Sequence, residues 1–173
     1  MKIGVIGSGA MGSLYGGILA ESGNEVYFID VYKEHVDAIN SRGLCILERG
    51  EERYIKNVRA TTDASEVGKV DLAIVFVKST ITDIAVEQNK EIIDKDTIVL
   101  TLQNGIGNIE KINKVVDLSQ IVAGTSANGA SMIEPGKINH AGNGGTVIGE
   151  ISGQITDRIK MLKELLDVEK LGP

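Results

Sequence analysis

Short, continuous apolar runs alternate along this chain with longer segments in which apolar residues recur at helical spacing. Residues 2–7 (KIGVIG) form a first apolar run that stops at glycine. Residues 10–21 (AMGSLYGGILAE) keep small and apolar side chains at helical spacing and close at Ser22-Gly23-Asn24. A strand is predicted over 25–30 (EVYFID), then a helix over 33–42 ended by Gly43. Residues 44–62 carry two β-type runs around Glu48-Arg49-Gly50-Glu51, which predicts a hairpin excursion. The most apolar run of all, 70–77 (VDLAIVFV), reads as a strand covered by helices on both faces. A helix over 79–93, a strand over 97–102 and a helix over 106–116 follow. Beyond them lie a strand at 121–124 and a glycine-rich β-like region, 136–150. Residues 154–168 are amphipathic, with Ile155, Ile159, Leu162, Leu165 and Leu166 on one face. That face is expected to be exposed and to invite self-association as a homodimer or weak oligomer.

Strands alternating with helices predict right-handed βαβ units and an α/β fold, a Rossmann-type, doubly wound, mostly parallel sheet with the hairpin as an excursion. Composition agrees. At 173 residues with 42% hydrophobic and 24% charged residues and only 2 prolines, the chain is globular and can bury a real core. A net charge of −6 argues against nucleic acid or an anionic membrane as partner. No apolar run approaches the roughly 20 residues of a membrane span, and no leader-like segment precedes the first strand, so the chain reads as cytoplasmic. The single cysteine, Cys45, reads as a buried packing residue.

Gly7-Ser8-Gly9-Ala10-Met11-Gly12 fits G-x-G-x-x-G between a strand and a helix, the context in which this pattern binds a dinucleotide. Gly7 allows the tight turn, Gly9 lets a pyrophosphate reach the backbone, and Gly12 lets the helix pack close to the sheet. The helix N-terminus adds unpaired N–H groups and partial positive charge. Asp30, at the end of the second strand, can accept from the ribose hydroxyls, which points to NAD(H). Its competing role is a cap on the following helix. Lys33 is the one cation close enough in sequence to offset its charge against a 2′-phosphate.

Ligands of such sheets bind beyond the carboxyl ends of the strands. Two ends stand out: strand 70–77 runs into Lys78, and strand 97–102 (VLTL with its flanks) stops at Gln103-Asn104-Gly105. A bare turn would explain Asn-Gly. Lys78 and Asn104 facing the same edge as the glycine loop favour a site, with Lys78 binding an anion or polarising a carbonyl and Asn104 both donating and accepting. His35 sits in a polar helix and is assigned to solvent; His140, in a turn-and-strand segment, reads as structural. Two distant histidines and one cysteine support no metal cluster. Neither G-x-S-x-G nor a Walker sequence occurs.

With KIGVIGSGAMGSLYGGILAESGNEV at the start, FVKST around Lys78, LQNGIGN around Asn104 and EPGKINHAGNGGTVIGE near residues 134–150, the chain resembles the ketopantoate reductases (2-dehydropantoate 2-reductases). The first motif is generic to dinucleotide-binding reductases; the third and fourth are more specific. The resemblance implies NAD(P)H-dependent reduction of a small 2-oxo acid, 2-dehydropantoate, to (R)-pantoate in pantothenate and coenzyme A biosynthesis. It implies NADP(H) as cofactor, a cleft lined by Lys78 and Asn104 as assisting catalytic residues, and a loop including Ala130 near the cofactor. Where the family often carries an arginine after the second strand, this chain has Asp30-Val31-Tyr32-Lys33, so NAD(H) stays open beside NADP(H). The family's helical C-terminal domain, with its main catalytic lysine, is expected to be absent. Residues 1–168 are then the dinucleotide-binding domain and 169–173 the start of a linker. Another 2-oxo or hydroxy acid dehydrogenase, and a non-catalytic dinucleotide-binding module, are the alternatives.

Overall fold

The computed structural model describes residues 1–167, so the expected boundary at 168 and the linker at 169–173 lie outside the described residues. The chain opens with β1 (Lys2–Ile6), α1 (Ala10–Glu21), β2 (Glu25–Ile29) and α2 (Lys33–Arg42). It continues through β3 (Leu44–Glu48), β4 (Glu51–Ile55), β5 (Val58–Thr61), β6 (Leu72–Val75), α3 (Thr82–Gln88), β7 (Ile98–Thr101) and α4 (Asn108–Ile112). The last elements are β8 (Ile121–Ser126), β9 (Gly129–Glu134), β10 (Lys137–Gly142), β11 (Thr146–Glu150) and α5 (Asp157–Leu166).

Seven strands form the main sheet in the order β11-β8-β7-β6-β1-β2-β5. Every neighbouring pair is parallel except β11 with β8, which is antiparallel. The crossover at β1 and β6 reverses the direction in which strands are added, which is where such sheets open a crevice. Side chains of the central strands alternate between two buried layers. Ile3, Val5, Leu72, Ile74 and Leu100 enter the core on the α1 side, and Ile6, Ala73, Val75 and Val99 enter the core on the other. Burial on both faces is why 70–77 reads as an unbroken apolar run.

The expected hairpin excursion is real but shorter than 44–62. β3 and β4 form it, while β5 leaves it and pairs in parallel with β2 as the edge of the main sheet. The excursion also has partners that local sequence could not reveal. β3 pairs in parallel with β10, and β10 with β9, giving a second sheet in the order β4-β3-β10-β9. The glycine-rich region 136–150 is thereby divided, β10 going to the small sheet and β11 to the main one.

Helix α1 lies between the two sheets, so it is buried nearly all round from Gly12 to Ala20. A Cβ on Gly16 would stand 2.3 Å from the Phe28 ring on the main-sheet side, and one on Gly17 would stand 2.9 Å from Leu44 and Ile55 on the small-sheet side. Its glycines thus set the spacing of both layers.

Two predicted helices are interrupted. Within 79–93 the chain makes a 3₁₀ turn (Ser79–Ile81), then α3, then another turn (Lys90–Ile92). Asn89 ends α3 by turning its side-chain amide back onto the Ala85 carbonyl at 2.7 Å. Within 106–116 only α4 is helical, entered through Gly107 in the left-handed region at φ 89°. The apolar face of the last helix is not left open, contrary to expectation. Ile159, Leu162 and Leu166 of α5 are buried, and only Ile155, ahead of the helix, stays out. Among the described residues no helix is long and apolar enough to cross a membrane.

Candidate functional site

Gly7 leaves β1 at φ 90°, and its N–H donates to the Ile29 carbonyl at 2.9 Å. A Cβ there would meet Val77 at 2.7 Å, and one on Gly12 would lie 2.0 Å from the Gly7 carbonyl oxygen. Those two glycines are required by packing. Gly9 differs: a Cβ there would meet nothing within 4 Å. Space is held open above the Gly9 backbone, and α1 starts at Gly9 with no side-chain cap, so its first-turn N–H groups await another acceptor.

Asp30 is tied to this loop. Its Oδ2 accepts from Ser8 N at 2.7 Å and Ser8 Oγ at 3.2 Å, and its Oδ1 accepts from Tyr32 N at 2.9 Å. The capping alternative does not hold, since α2 begins at Tyr32 with no side-chain cap. Lys33 turns away, to Asp37 at 2.7 Å.

Two adjoining cavities run along the carboxyl edge of the main sheet. The larger, roughly 850 Å³, lies over Gly7, Gly9, Asp30 and Asp63, floored by Ile29 and Val77. Hydrogen bonds from the Ser65 hydroxyl and amide hold the Asp63 carboxyl below the usual carboxylate range, so this acid is anionic at neutral pH. The second cavity, roughly 370 Å³, is lined by Met11, Lys78, Asn104, Ser126 and Asn128. Phe76, Val77 and Lys78 border both, so the two form one cleft. Its walls come from the carboxyl ends of all six parallel strands, which is why residues so far apart in sequence converge.

Lys78 and Asn104 are both exposed and stand on the same cavity. The two amides of the strand end have different duties. Gln103 is structural: its Nε2 donates to Val77 O and to Thr82 Oγ1 (2.9 Å), and its Oε1 accepts from Thr101 Oγ1. Asn108 braces the loop by donating to the Asn104 and Gly105 carbonyls at 3.2 Å, and Lys111 donates to the Ser79 carbonyl. Asn104 is left facing the cleft.

Ala130 is not in a loop. It lies on β9, opposite His140, half-buried against the core, and lines neither cavity. Residues not singled out from sequence stand nearer the cleft. Tyr15 OH donates to Ser126 Oγ at 2.7 Å and lies 2.6 Å from Thr146 Oγ1, while Asn128 Nδ2 donates to Tyr15 OH at 3.3 Å. Ser126 ends a parallel strand, β8, and Asn128 follows it, much as Lys78 and Asn104 follow theirs; that shared position was the available signal.

His35 overturns its assignment to solvent: it is only 1% exposed. Gly136 N donates to its Nδ1 at 2.9 Å, and its Nε2 lies 3.1 Å from Ser13 Oγ. Since Ser13 Oγ donates its proton to Ser8 O at 2.7 Å, the network assigns the hydrogen to Nε2, a neutral imidazole. Burial pushes its pKa below the usual histidine value, against a partial upward pull from Asp30. His140 is also buried, with Nδ1 2.7 Å from Glu48 Oε1 across the small sheet.

The sequence profile described as ketopantoate reductase PanE/ApbA matches residues 3–153. Among curated relatives, the 2-dehydropantoate 2-reductase of Pyrococcus horikoshii is 44% identical over 149 residues, 86% of this chain and 47% of that protein. The enzyme of the same name from Lactococcus lactis is 36% identical over 173 residues, 99% of this chain and 55% of the relative. Among solved structures, 2-dehydropantoate 2-reductase from Geobacter metallireducens superposes with a TM-score of 0.88 at 29% identity, covering 95% of this chain and 54% of that one. The ternary structure of D-mandelate dehydrogenase with NADH and anilino(oxo)acetate gives 0.85 at 35% identity, covering 96% and 53%. The chain therefore spans about half the length of the relatives it matches. On this agreement of sequence over most of its length, and of fold, the chain belongs to the ketopantoate reductase family.

Proposed function

We propose that the described domain is the nicotinamide-dinucleotide-binding half of an oxidoreductase that reduces a 2-oxo acid, 2-dehydropantoate, to the 2-hydroxy acid (R)-pantoate on the route to pantothenate and coenzyme A. The observation that carries the reading is the uncapped start of α1 beneath the open space at Gly9, at one end of a cleft that presents Lys78 where its two cavities join and Asn104 beyond it. Gly9, Ala10 and Met11 would hold the pyrophosphate through backbone N–H groups, and Asp30 the adenosine ribose. The bound dihydronicotinamide supplies hydride to the keto carbon. Lys78, where the two cavities join, draws in the anionic substrate and stabilises negative charge growing on the keto oxygen. Asn104 orients the amide or hydroxyl groups beside it.

Of the two cofactors, NAD(H) fits this wall better than NADP(H). Asp30 is fixed by Ser8 and Tyr32, Asp63 adds a second negative charge, and Lys33 is engaged with Asp37. A 2′-phosphate would face two carboxylates, while Lys33, the cation closest to Asp30 in sequence, is already paired with Asp37. The D-mandelate dehydrogenase relative, solved with NADH, supports the same choice and also favours a second reading, a related 2-oxo acid as substrate.

Calorimetric titration of the chain with NADH and NADPH tests the proposal. Tighter binding of NADH is expected. Tighter NADPH would overturn the cofactor choice, and binding of neither would overturn the dinucleotide site itself. A screen of 2-oxo acids against a version carrying the full length of the relatives separates ketopantoate from its analogues.

A further inference from the structure

The glycine loop is held from behind by a chain of hydrogen bonds that no part of the proposed reaction requires. It runs from Gly136 N to His35 Nδ1, from His35 Nε2 to Ser13 Oγ, and from Ser13 Oγ to Ser8 O. Every side chain in it is buried: His35 is 1% exposed, Ser13 and Ser8 0%. It links the turn between β9 and β10 through α2 and α1 to the loop after β1.

Ser8 O and Gly9 N belong to one peptide unit. In a planar trans peptide the C=O and N–H point in opposite directions. Ser13 Oγ pulls the Ser8 carbonyl into the protein, so the Gly9 N–H is turned outward, toward the open side of the loop, where even a Cβ at Gly9 would meet no protein atom. Ser8 N is held separately by Asp30, which fixes the other side of the residue. Ser13 acts twice, because its own N–H takes the Gly9 carbonyl as the first bond of the helix at 2.8 Å.

His35 determines how Ser13 is used. A serine hydroxyl has one proton and can give it to only one acceptor. With the imidazole hydrogen on Nε2 pointing at Ser13 Oγ, that oxygen accepts from the ring and must donate elsewhere, which leaves Ser8 O. The hydrogen stays on Nε2 because Gly136 N–H claims Nδ1. Gly136 can come this close only as glycine: it has φ 77°, and a Cβ would lie 2.8 Å from Ala38 on α2. The Asp30 carboxylate acts on the ring from the glycine-loop side, and Arg42 reaches from α2 to the Pro135 carbonyl beside Gly136. The Tyr32 ring stacks at 6.2 Å.

We propose that His35 and Ser13 are positioning residues for dinucleotide binding, which aim the Gly9 amide at the pyrophosphate by fixing the direction of the Ser8–Gly9 peptide. The inference rests on the dinucleotide reading above. It explains why a polar-looking helix buries a histidine, and why a proline-glycine turn more than a hundred positions away in sequence is seated against the phosphate loop.

The test is NADH titration of the chain and of Ser13→Ala, Ser13→Thr and His35→Gln, with the Gly9 amide followed by ¹⁵N–¹H correlation spectra. Ser13→Ala is expected to weaken NADH binding about tenfold, the order of one buried hydrogen bond, and to lower the unfolding midpoint as well, since His35 Nε2 and Ser8 O lose a buried partner. The Gly9 amide resonance should move in the free Ser13→Ala chain, and should shift less on adding NADH than it does in the parent. Ser13→Thr, which retains the hydroxyl, should restore both. Unchanged NADH affinity in both Ser13→Ala and His35→Gln would overturn the inference and leave the dinucleotide site standing. So would a parent Gly9 amide that does not respond to bound NADH, which needs no variant to fold. Failure of the parent to bind any dinucleotide would overturn the underlying reading instead.

Discussion

Ser8 and Asp30 are joined twice, by the Ser8 backbone N–H at 2.7 Å and by its hydroxyl at 3.2 Å, both to the same carboxylate oxygen. The end of β2 is thereby fastened to the loop after β1, and the carboxylate cannot swing out of the cleft without abandoning an amide donor. Asp30→Ala should lower stability by about 2 kcal/mol, the order for hydrogen bonds to a charged group, read by urea unfolding. Asp30→Asn keeps the shape but not the charge, so it should lose less stability while narrowing the gap between NADH and NADPH affinity. An unchanged NADH-to-NADPH ratio in Asp30→Asn would show that the carboxylate does not select the cofactor.

The glycines of the loop separate packing from binding. Gly12→Ala would force a methyl group to 2.0 Å from the Gly7 carbonyl, and should cost about 3 kcal/mol or more in unfolding experiments. Gly9→Ala meets nothing within 4 Å and should leave the unfolding midpoint nearly unchanged. Its methyl group would instead occupy the ligand's space, weakening NADH by at least about tenfold, a loss of roughly 1.4 kcal/mol. Equal NADH affinity for Gly9→Ala and parent would place the pyrophosphate elsewhere.

Lys78 is exposed at the junction of the two cavities. Lys78→Ala should therefore change stability by no more than about 0.5 kcal/mol. It should lower affinity for a 2-oxo acid added to the NADH-saturated protein severalfold, and raising ionic strength should lessen the difference between parent and variant. Calorimetry in low and high salt provides the check.

His35 gives stability a pH dependence of definite sign. Its folded pKa lies below the ordinary value of 6.5 because burial disfavours the charged ring. Above 6.5 the ring is neutral in both states and contributes no slope. Below it, the unfolded chain binds a proton that the folded chain refuses, so stability falls with falling pH until the depressed native pKa is reached. The maximum slope is about 1.4 kcal/mol per pH unit. Denaturant titrations of parent and His35→Gln from pH 8 to pH 5 should diverge in slope below 6.5; parallel curves would show that His35 takes up its proton equally in both states.

Much of this fold was legible because its information is local. The run 70–77 is apolar at almost every position since β6 is covered on both faces, and the Gly7 to Gly12 spacing announces a strand-loop-helix turn whatever surrounds it. Lys78 and Asn104 could be brought together from sequence because both follow parallel strands, and parallel strands share an edge. His35 was misread for the opposite reason. Its helix is polar in its immediate neighbourhood, and the partners that make burial tolerable, Gly136 and Ser13, come from distant elements. The small sheet was hidden likewise, since β3 finds its parallel partner in β10 rather than in an adjacent segment. Ala130 shows how a position matched by family resemblance can be placed in the wrong kind of element, a strand rather than a loop.

The pairing of β3 with β10 also sets the order in which the molecule can be assembled. α1 is synthesised before β10, yet the sheet that covers its second face is complete only when residues 137–142 have been added. Until then Leu44 and Ile46 of the hairpin lack one flank, and the glycine loop hangs on a helix half covered. Closure over so long a separation is slow relative to local hairpin and helix formation. The seating of α1 between the two sheets, and with it the geometry of the glycine loop, thus depends on a long-range closure rather than on local structure alone.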